Sequence, residues 1–260
     1  MSRIISAFVA SISLLWLGGS PPLIKATDSP GVVVVELFTS EGCNSCPSAD
    51  KVLQKLVDQQ AKSKEPVYCL GFHVDYWDKL GWPDKFADRR FTDRQQRYAK
   101  VLETDRIYTP QMIVNGRMEF VGSNTKLADR AIAAARAKAA TIGVTIATQL
   151  LDTGKLRVRY ELDGDVNGAA LNLAIVETDL QTNVKRGENA GVTLRHANTV
   201  RVWESIDPKS TRAGQADLVL PKVCRLDQCR VIAYVQDRLT MQVLGANQSE
   251  PLNSERPPKQ

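Results

Sequence analysis

The segment VVVVELFTSEGCNSCP, at residues 32–47, constrains the fold of this chain more than any other. It begins with consecutive valines, and a short β-branched run is typical of a strand buried on both faces. Apolar side chains recur on one helical face over residues 49–61, which predicts a helix packed on a sheet. The order is therefore strand, Cys-x-x-Cys and helix. Cys43 falls just before or at the helix start, where unpaired N–H groups and the helix dipole favour a thiolate.

The two cysteines of this motif, Cys43 and Cys46, are interpreted first as a thiol–disulfide redox pair. Such a site needs an attacking thiolate and a resolving thiol within reach, and the earlier cysteine is usually the exposed, attacking one. A purely structural disulfide and a pair of metal ligands remain as alternatives. A structural zinc site needs a second pair of ligands at matching spacing. The other close pair, Cys224 and Cys229, has four residues between its members and no Cys/His quartet around it.

A second segment, YTPQMIVNG at residues 108–116, has the pattern loop, proline, strand and tight turn. Asn115-Gly116 between apolar runs is a strong hairpin signal. Thr109-Pro110 stands directly before the strand, at the place where thioredoxin-like folds have a cis-proline opposite their cysteines. An ordinary trans proline at a strand start is the alternative. The chain order relative to the Cys-x-x-Cys motif favours the cis form.

Several segments, spread from about residue 32 to about residue 201, occur together in an order that resembles one family. They are ELFTSEGCNSCPSAD, FHVDYWDKLGWPDKF, TDRQQRYA, YTPQMIVNG and RGENAGVTL. The chain resembles the secreted thioredoxin-like family known as domain of unknown function 1223. The resemblance implies a thioredoxin-like fold followed by a β-rich region, and it brings no established reaction. Thioredoxins proper have Trp-Cys-Gly-Pro-Cys, whereas this chain has Gly42 before the first cysteine and Asn44-Ser45 between the two, so it lacks the aromatic residue usually used to dock a partner.

The first 26 residues have the pattern of a secretory signal peptide. Arg3 gives a positive start, and residues 4–17 form an apolar stretch that is short for a membrane span and suited to a signal h-region. Cleavage after Ala26 predicts an exported protein, periplasmic or secreted, with no membrane span. An uncleaved N-terminal membrane anchor is the alternative. Export makes disulfides permissible, and an odd count of five cysteines leaves at least one free or paired between molecules.

The mature chain divides by pattern into two domains and a tail. Residues 31–141 alternate strands and helices and predict an α/β thioredoxin-like domain. From residue 142 the pattern changes to six or more short strands with turn signals, which predicts an all-β, sandwich-like domain over residues 142–249. Residues 250–260 are polar and Pro-rich and are predicted to be disordered. The net charge of +5 is too small and too dispersed to indicate a nucleic-acid partner.

Several polar or aromatic residues are candidates for a supporting role near the cysteines. His73, Asp75 and Trp77 follow the second predicted strand, at the sheet edge where open α/β folds place their sites. Either His73 or Asp75 could assist proton transfer to or from Cys46. The alternative is a buried structural histidine and an aspartate that caps a turn. Glu36 lies on the first strand, as a buried acid of thioredoxins does, but one residue further from the first cysteine.

Two features of the second half carry predictions of their own. The Gly-interrupted loop at residues 186–191, with His196 after it, could bind a ligand, but its default interpretation is a structural loop packed against the first domain. Cys224 and Cys229 flank a polar loop between apolar runs, a pattern that predicts a hairpin. In an oxidising compartment they are predicted to form a structural disulfide, with a second redox pair as the alternative.

The functional prediction is an exported thiol–disulfide oxidoreductase that acts on extracytoplasmic proteins. Cys43 attacks a substrate disulfide, Cys46 resolves the mixed disulfide, and Thr109 and Pro110 align the substrate chain. The predicted partners are a protein thiol or disulfide and a redox partner protein, and neither a cofactor nor a metal is predicted. The alternatives are a soft-metal protein that binds or delivers copper, and a non-catalytic binding protein on a thioredoxin-like scaffold.

Overall fold

The computed structural model describes residues 31–208 and 211–252. The predicted signal peptide over residues 1–26 and most of the predicted tail therefore lie outside the described residues. Within the described ranges, none of the helices is both long enough and apolar enough to span a membrane.

The first half of the chain alternates strands with helices. Its strands are β1 (Val33–Thr39), β2 (Val67–His73), β3 (Gln111–Val114) and β4 (Met118–Val121). Its helices are α1 (Cys46–Ser63), α2 (Arg89–Val101) and α3 (Thr125–Arg136), and a 3-10 helix spans Asp75–Leu80. The strand after the Cys-x-x-Cys helix ends at His73, as predicted, and α1 begins at Cys46, three residues before the apolar helical face predicted from residue 49.

The described part of the second half consists mainly of strands, and it contains a short 3-10 helix at Leu226–Gln228. The strands that precede the two-residue gap at 209–210 are β5 (Gly143–Leu150), β6 (Lys155–Asp163), β7 (Ala169–Glu177), β8 (Leu180–Asn183), β9 (Thr193–His196) and β10 (Thr199–Ile206). Those that follow it are β11 (Ala213–Val219), β12 (Cys229–Asp237) and β13 (Val243–Gln248).

One eight-stranded mixed sheet contains strands from both halves, in the order β13-β12-β7-β10-β2-β1-β3-β4. β1 pairs parallel with β2 and antiparallel with β3. The halves join where β10 pairs parallel with β2, at Thr199 opposite Gly71. The predicted α/β class is found, with smaller antiparallel sheets beside the large one. The predicted division near residue 141 is not confirmed, because the hydrogen-bonded sheet continues across it.

Alternation along β1 assigns the helices to opposite faces of the sheet. Val33, Val35 and Leu37 belong to the apolar cluster that contains the buried residues of α1 and α3. Val34 and Phe38, which point the other way along the strand, belong to the cluster that contains the buried aromatics of α2. The sheet is therefore covered by helices on both faces. The segment after β1 leads into α1, on the face that α1 and α3 cover.

A three-stranded sheet, in the order β11-β6-β5, covers part of the large sheet. Leu156 and Val158 of β6 pack in one cluster with Leu173 of β7 and Val231 of β12. β7 and β12 are buried on both faces, as continuous apolar runs predict. The predicted sandwich is thus present as two facing sheets, but its larger sheet is the extension of the first-half sheet rather than a separate one.

The predicted disulfide between Cys224 and Cys229 is absent: both are free thiols, and so is Cys69. The predicted hairpin does not form, because Cys229 opens β12, which pairs with β7 and β13, while Cys224 lies in the loop before the 3-10 helix. Cys229 nevertheless lies close enough to Cys224 to influence the pKa of its thiol. Cys69 is buried within β2, as a small apolar residue would be.

Candidate functional site

Cys43 and Cys46 are joined by a disulfide, with 5.4 Å between their Cα atoms. α1 begins at Cys46, so Cys43 lies in the turn that leads from β1 into the helix. The amide of Cys43 donates to Ser40 O at 3.2 Å, and the amide of Cys46 donates to Cys43 O at 3.2 Å. Pro47 occupies the first turn of the helix, where its missing N–H has no partner to lose. The sequence predicted that Cys43 would lie just before or at the start of this helix.

Both cysteines are fully buried, although the two residues between them are exposed. Cys43 and Cys46 each have 0% of their surface accessible to solvent, whereas Asn44 and Ser45 are exposed. The expectation that Cys43 would be exposed is therefore wrong for this structure. Its physical reason lies in the second half of the chain, which contributes a loop that covers the motif.

This loop, residues 184–192 between β8 and β9, is called the cap below. The Asn189 side-chain amide donates to the carbonyl oxygens of Glu41 at 2.8 Å and of Cys43 at 3.0 Å. In return, the backbone amide of Asn44 donates to Glu188 Oε2 at 3.1 Å. The default interpretation of the loop, packing against the first half, is confirmed. The residues it contacts are those of the Cys-x-x-Cys segment itself.

The Thr109–Pro110 bond is cis, as the sequence predicted. Pro110 leads into β3, the strand next to β1. A Cβ atom added at Gly122 would lie 3.1 Å from Ala49 Cβ and 3.6 Å from Pro110 Cβ, so the proline and the first turns of α1 line the same spot. Trp77 links the two sides, because its Nε1–H donates to Thr109 Oγ1 at 2.8 Å and its side chain packs against Gly42.

Both histidines of the chain lie in one buried cluster beneath the motif. The ring centroids of His73 and His196 are 4.9 Å apart. His73 Nδ1 is 2.6 Å from Asp84 Oδ2, and His196 Nε2 is 3.2 Å from Glu41 Oε1. The backbone amide of Glu41 also donates to Asp84 Oδ2 at 2.9 Å, so the two ion pairs form one network that begins two residues before Cys43.

The charges in this network support one another. Burial disfavours the charged form of His73, but the neighbouring Asp84 carboxylate outweighs that effect and raises the pKa of His73. Burial likewise opposes the ionisation of Asp84, yet the charge of His73 lowers the pKa of Asp84. For Glu41 the hydrogen bond with His196 offsets burial and lowers the pKa. The network therefore favours the charged forms of His73, Asp84 and Glu41. Trp82 Nε1–H also donates to Glu41 Oε2 at 2.7 Å.

Asp50 is a further buried carboxyl near the motif, one helical turn after Cys46 on the buried face of α1. Its Oδ1 accepts from Thr39 Oγ1 at 2.9 Å, and burial raises the pKa of Asp50. Asp50 also lines a cavity of about 440 Å³ between α1 and β9. The remaining residues around this cavity are Pro47, Lys51, Gln54, Asp58, Asp179, Val192, Thr193, Leu194 and Arg195.

The structure gathers only part of the set of supporting residues that the sequence predicted. His73 belongs to the buried cluster and Trp77 contacts the motif. Asp75 instead accepts from the Thr92 hydroxyl of α2. Glu36 faces the α2 side of the sheet, where Arg94 binds it, rather than the side from which the cysteines enter α1. Both carboxylates accept hydrogen bonds from residues of α2.

Sequence reasoning missed four residues that lie near the motif: Glu41, Asp50, Trp82 and Asp84. Asp50 gave a usable signal, since a carboxylate stands on an otherwise apolar face of the Cys-x-x-Cys helix. Asp84 gave none, because it reaches Glu41 across 43 positions of sequence. Across residues 31–208 and 211–252, no group of three or more His, Cys, Asp or Glu side chains is arranged to hold a metal ion.

Comparison with known proteins adds a family and a fold. Residues 34–236 match the model of the family described as "Protein of unknown function (DUF1223)". The thioredoxin of Methanocaldococcus jannaschii is 27% identical over 94 residues, which is 36% of this chain and 84% of that protein. A crystal structure of a protein from Agrobacterium tumefaciens superimposes with a TM-score of 0.65 at 25% identity, covering 89% of this chain and 99% of that one.

Proposed function

We propose, from the premise that this chain belongs to the DUF1223 family, that it is a thiol–disulfide oxidoreductase whose reacting pair is Cys43 and Cys46. One observation carries the proposal. The two cysteines form a disulfide at the start of α1, and the cis Thr109–Pro110 bond leads into the strand beside β1. The similarity to a thioredoxin supports the same class of chemistry.

The reaction is a two-electron exchange between two pairs of cysteines. In the reduced protein the Cys43 thiolate attacks a substrate disulfide, forming a mixed disulfide and releasing one substrate thiolate. The Cys46 thiolate then attacks the Cys43 sulfur, which breaks the mixed disulfide and releases the second substrate thiol. A redox partner protein then reduces the Cys43–Cys46 disulfide that remains, which regenerates the two thiols. The same steps in reverse oxidise a substrate dithiol.

The substrates in this proposal are proteins outside the cytoplasm. The signal-peptide pattern of residues 1–26 supports export, and an exported protein meets substrates whose cysteines are being oxidised or rearranged. Trp77, which contacts both Gly42 and Thr109, is placed to serve as the aromatic contact that the motif itself lacks.

A redox titration of the Cys43–Cys46 pair against glutathione, followed by trapping, tests the proposal. Cys46→Ser should accumulate mixed disulfides with partner proteins, because Cys43 can attack but nothing resolves the product. Cys43→Ser should accumulate none. Trapping by Cys43→Ser in place of Cys46→Ser would reverse the roles of the two cysteines, and a pair that exchanges with neither glutathione nor a cysteine-containing peptide in the folded protein would refute the activity.

The full burial of both cysteines favours a second candidate, a non-catalytic binding protein in which the disulfide is only structural. Structural disulfides resist reduction by the glutathione pool, whereas catalytic ones have higher potentials. Reduction of the folded protein by a peptide that carries two cysteines separates the two candidates. A catalytic pair is reduced while the fold persists, and a structural one is reduced only together with global unfolding.

A further inference from the structure

The cap over the cysteines is seated by polar contacts. Of its residues, Val184 and Asn189 are buried and the others are exposed. Asn189 is 5% accessible and places its amide against two carbonyl oxygens of the Cys43 segment, while Glu188 accepts from the Asn44 amide. The free energy needed to open a segment with few apolar contacts is low compared with that of the core. The hydrogen bonds of Asn189 and Glu188 therefore hold the cap in its closed position.

The cap also has the internal bonds of a unit that can move as a whole. The amides of Val184 and Val192 donate to Val192 O and Asn189 O, and the amide of Gly191 donates to Val184 O. At its tip, Gly187 has φ +78°, and a Cβ there would lie 3.2 Å from Trp82 Cβ. This close approach to Trp82, together with the positive φ, requires glycine at the tip.

Opening the cap would remove hydrogen bonds from particular backbone groups. These are the carbonyl oxygens of Glu41 and Cys43 and the N–H of Asn44, of which Cys43 O would keep the bond from the Cys46 amide. A buried polar group that loses its hydrogen bond costs free energy unless the incoming molecule replaces it. An extended polypeptide offers N–H and C=O groups on both sides of its own cysteine and can replace these bonds. A small thiol such as glutathione offers far fewer such groups.

We propose that the cap, residues 184–192, determines which partners reach Cys43–Cys46: it excludes small thiols and disulfides and yields to extended polypeptide segments that replace the contacts of Asn189 and Glu188. This inference rests on the proposed function, since it names the partner class of the same site. Asn189 and Glu188 act by positioning and closing the cap, and neither takes part in the exchange of sulfur bonds.

The test compares rates of disulfide reduction in the folded, full-length protein. The probes are reduced glutathione and a synthetic peptide with one cysteine flanked by several residues on each side. In Asn189→Ala we expect glutathione to react roughly tenfold faster, the change that corresponds to two lost hydrogen bonds. The peptide rate should change less, so the preference for peptide over glutathione falls. Glu188→Ala should shift the same ratio in the same direction by a smaller factor.

The matched control is Asn183→Ala, one residue before the cap, where the side chain bonds the Thr193 hydroxyl within the same hairpin. It should leave both rates unchanged. Asn189→Asp is a second variant that keeps the shape and removes the donor, and thermal melts show which variants are folded. Equal glutathione rates in the folded wild type and in all folded cap variants would overturn the proposal that the cap excludes small thiols. Faster glutathione reduction in the cap variants, with no exchange with the peptide in any variant, would support that exclusion but overturn the proposed function.

Discussion

Arg94 binds Glu36 through two hydrogen bonds, Nε to Oε2 at 2.6 Å and Nη2 to Oε1 at 2.8 Å, across 58 positions of sequence. The pair lies between β1 and α2 and is almost completely buried. Tyr98 donates to the same carboxylate, and Arg94 also donates to Gln236 of β12. The interaction that occupies Glu36 therefore connects the first half of the chain with the strands of the second half.

Arg94→Met is expected to destabilise the protein by about 3–5 kcal/mol, because it leaves the Glu36 carboxylate buried without a counter-charge. The free energy of unfolding from urea denaturation measures the effect. Arg89→Met is the control, since the Arg89–Asp93 pair is exposed and such pairs contribute less than about 1 kcal/mol. The double variant Glu36→Gln/Arg94→Met should recover part of the loss. A single-variant loss as small as that of the control would contradict the argument.

The parts of the site that sequence predicts are those that depend on local chemistry. Cys43, Cys46 and Pro110 were found because their spacing relative to a strand and a helix start is a local pattern. The Asn115-Gly116 turn was found in the same way, and both residues have the positive φ that such a turn requires. Nothing local to Asn189 shows that it will bind Cys43 O, 146 positions away.

The second half shows the same limit at the level of sheets. Short strands and turn signals predict β structure, but they do not predict which strands pair with each other. The continuous apolar runs of β7 and β12 indicate strands covered on both faces. In an ordinary β-sandwich, by contrast, one face of each sheet is exposed to solvent. That burial pattern was the available sign that these strands continue the first-half sheet. The pairing itself, β10 with β2, depends on long-range packing.

Trp82→Phe is expected to destabilise the protein by about 1.5–3 kcal/mol, the range for a hydrogen bond to a charged group. The substitution keeps an aromatic ring at this position and removes the Nε1–H donor to the buried Glu41 carboxylate. Trp203→Phe is the matched control, because Trp203 is also half-buried but donates to the neutral Tyr234 hydroxyl. Its loss should be about 1 kcal/mol. Equal losses in chemical denaturation would show that the Glu41 charge adds nothing to the bond.

Native alkylation with iodoacetamide should separate the three free cysteines. Burial raises the pKa of Cys69 to about 12, so its thiol should stay unmodified near neutral pH until the protein unfolds. Cys229 is also buried, whereas Cys224 is partly exposed and should be labelled first. Peptide mapping without reduction should recover a peptide in which Cys43 and Cys46 are joined by a disulfide. Recovery of a Cys224–Cys229 peptide instead of two alkylated cysteines would contradict the free thiols seen here.

Asp50→Asn is expected to stabilise the protein at high pH and to have little effect at low pH. Burial raises the pKa of Asp50 in the folded state, while the unfolded chain has the ordinary value of 3.8. The folded state therefore holds this proton more tightly than the unfolded state. The contribution of the group to stability is complete below 3.8 and is lost as the pH rises through the raised folded value. Asparagine does not titrate, and its Oδ1 can still accept from the Thr39 hydroxyl.

The measurement is the difference in free energy of unfolding between Asp50→Asn and wild type, followed from acidic to mildly alkaline pH. It should rise with pH, in favour of the variant, once the pH exceeds the ordinary aspartate value. His73 and Asp84 also influence the charge at Asp50, and Asp50 in turn contributes to the raised pKa of His73, so the difference reports Asp50 together with the cluster that faces it. Asp58→Asn is the control for removing a carboxylate from the same cavity, because Asp58 is exposed and accepts from Gln54. A difference for Asp50→Asn that falls as the pH rises would show that the folded protein favours the charged form of Asp50.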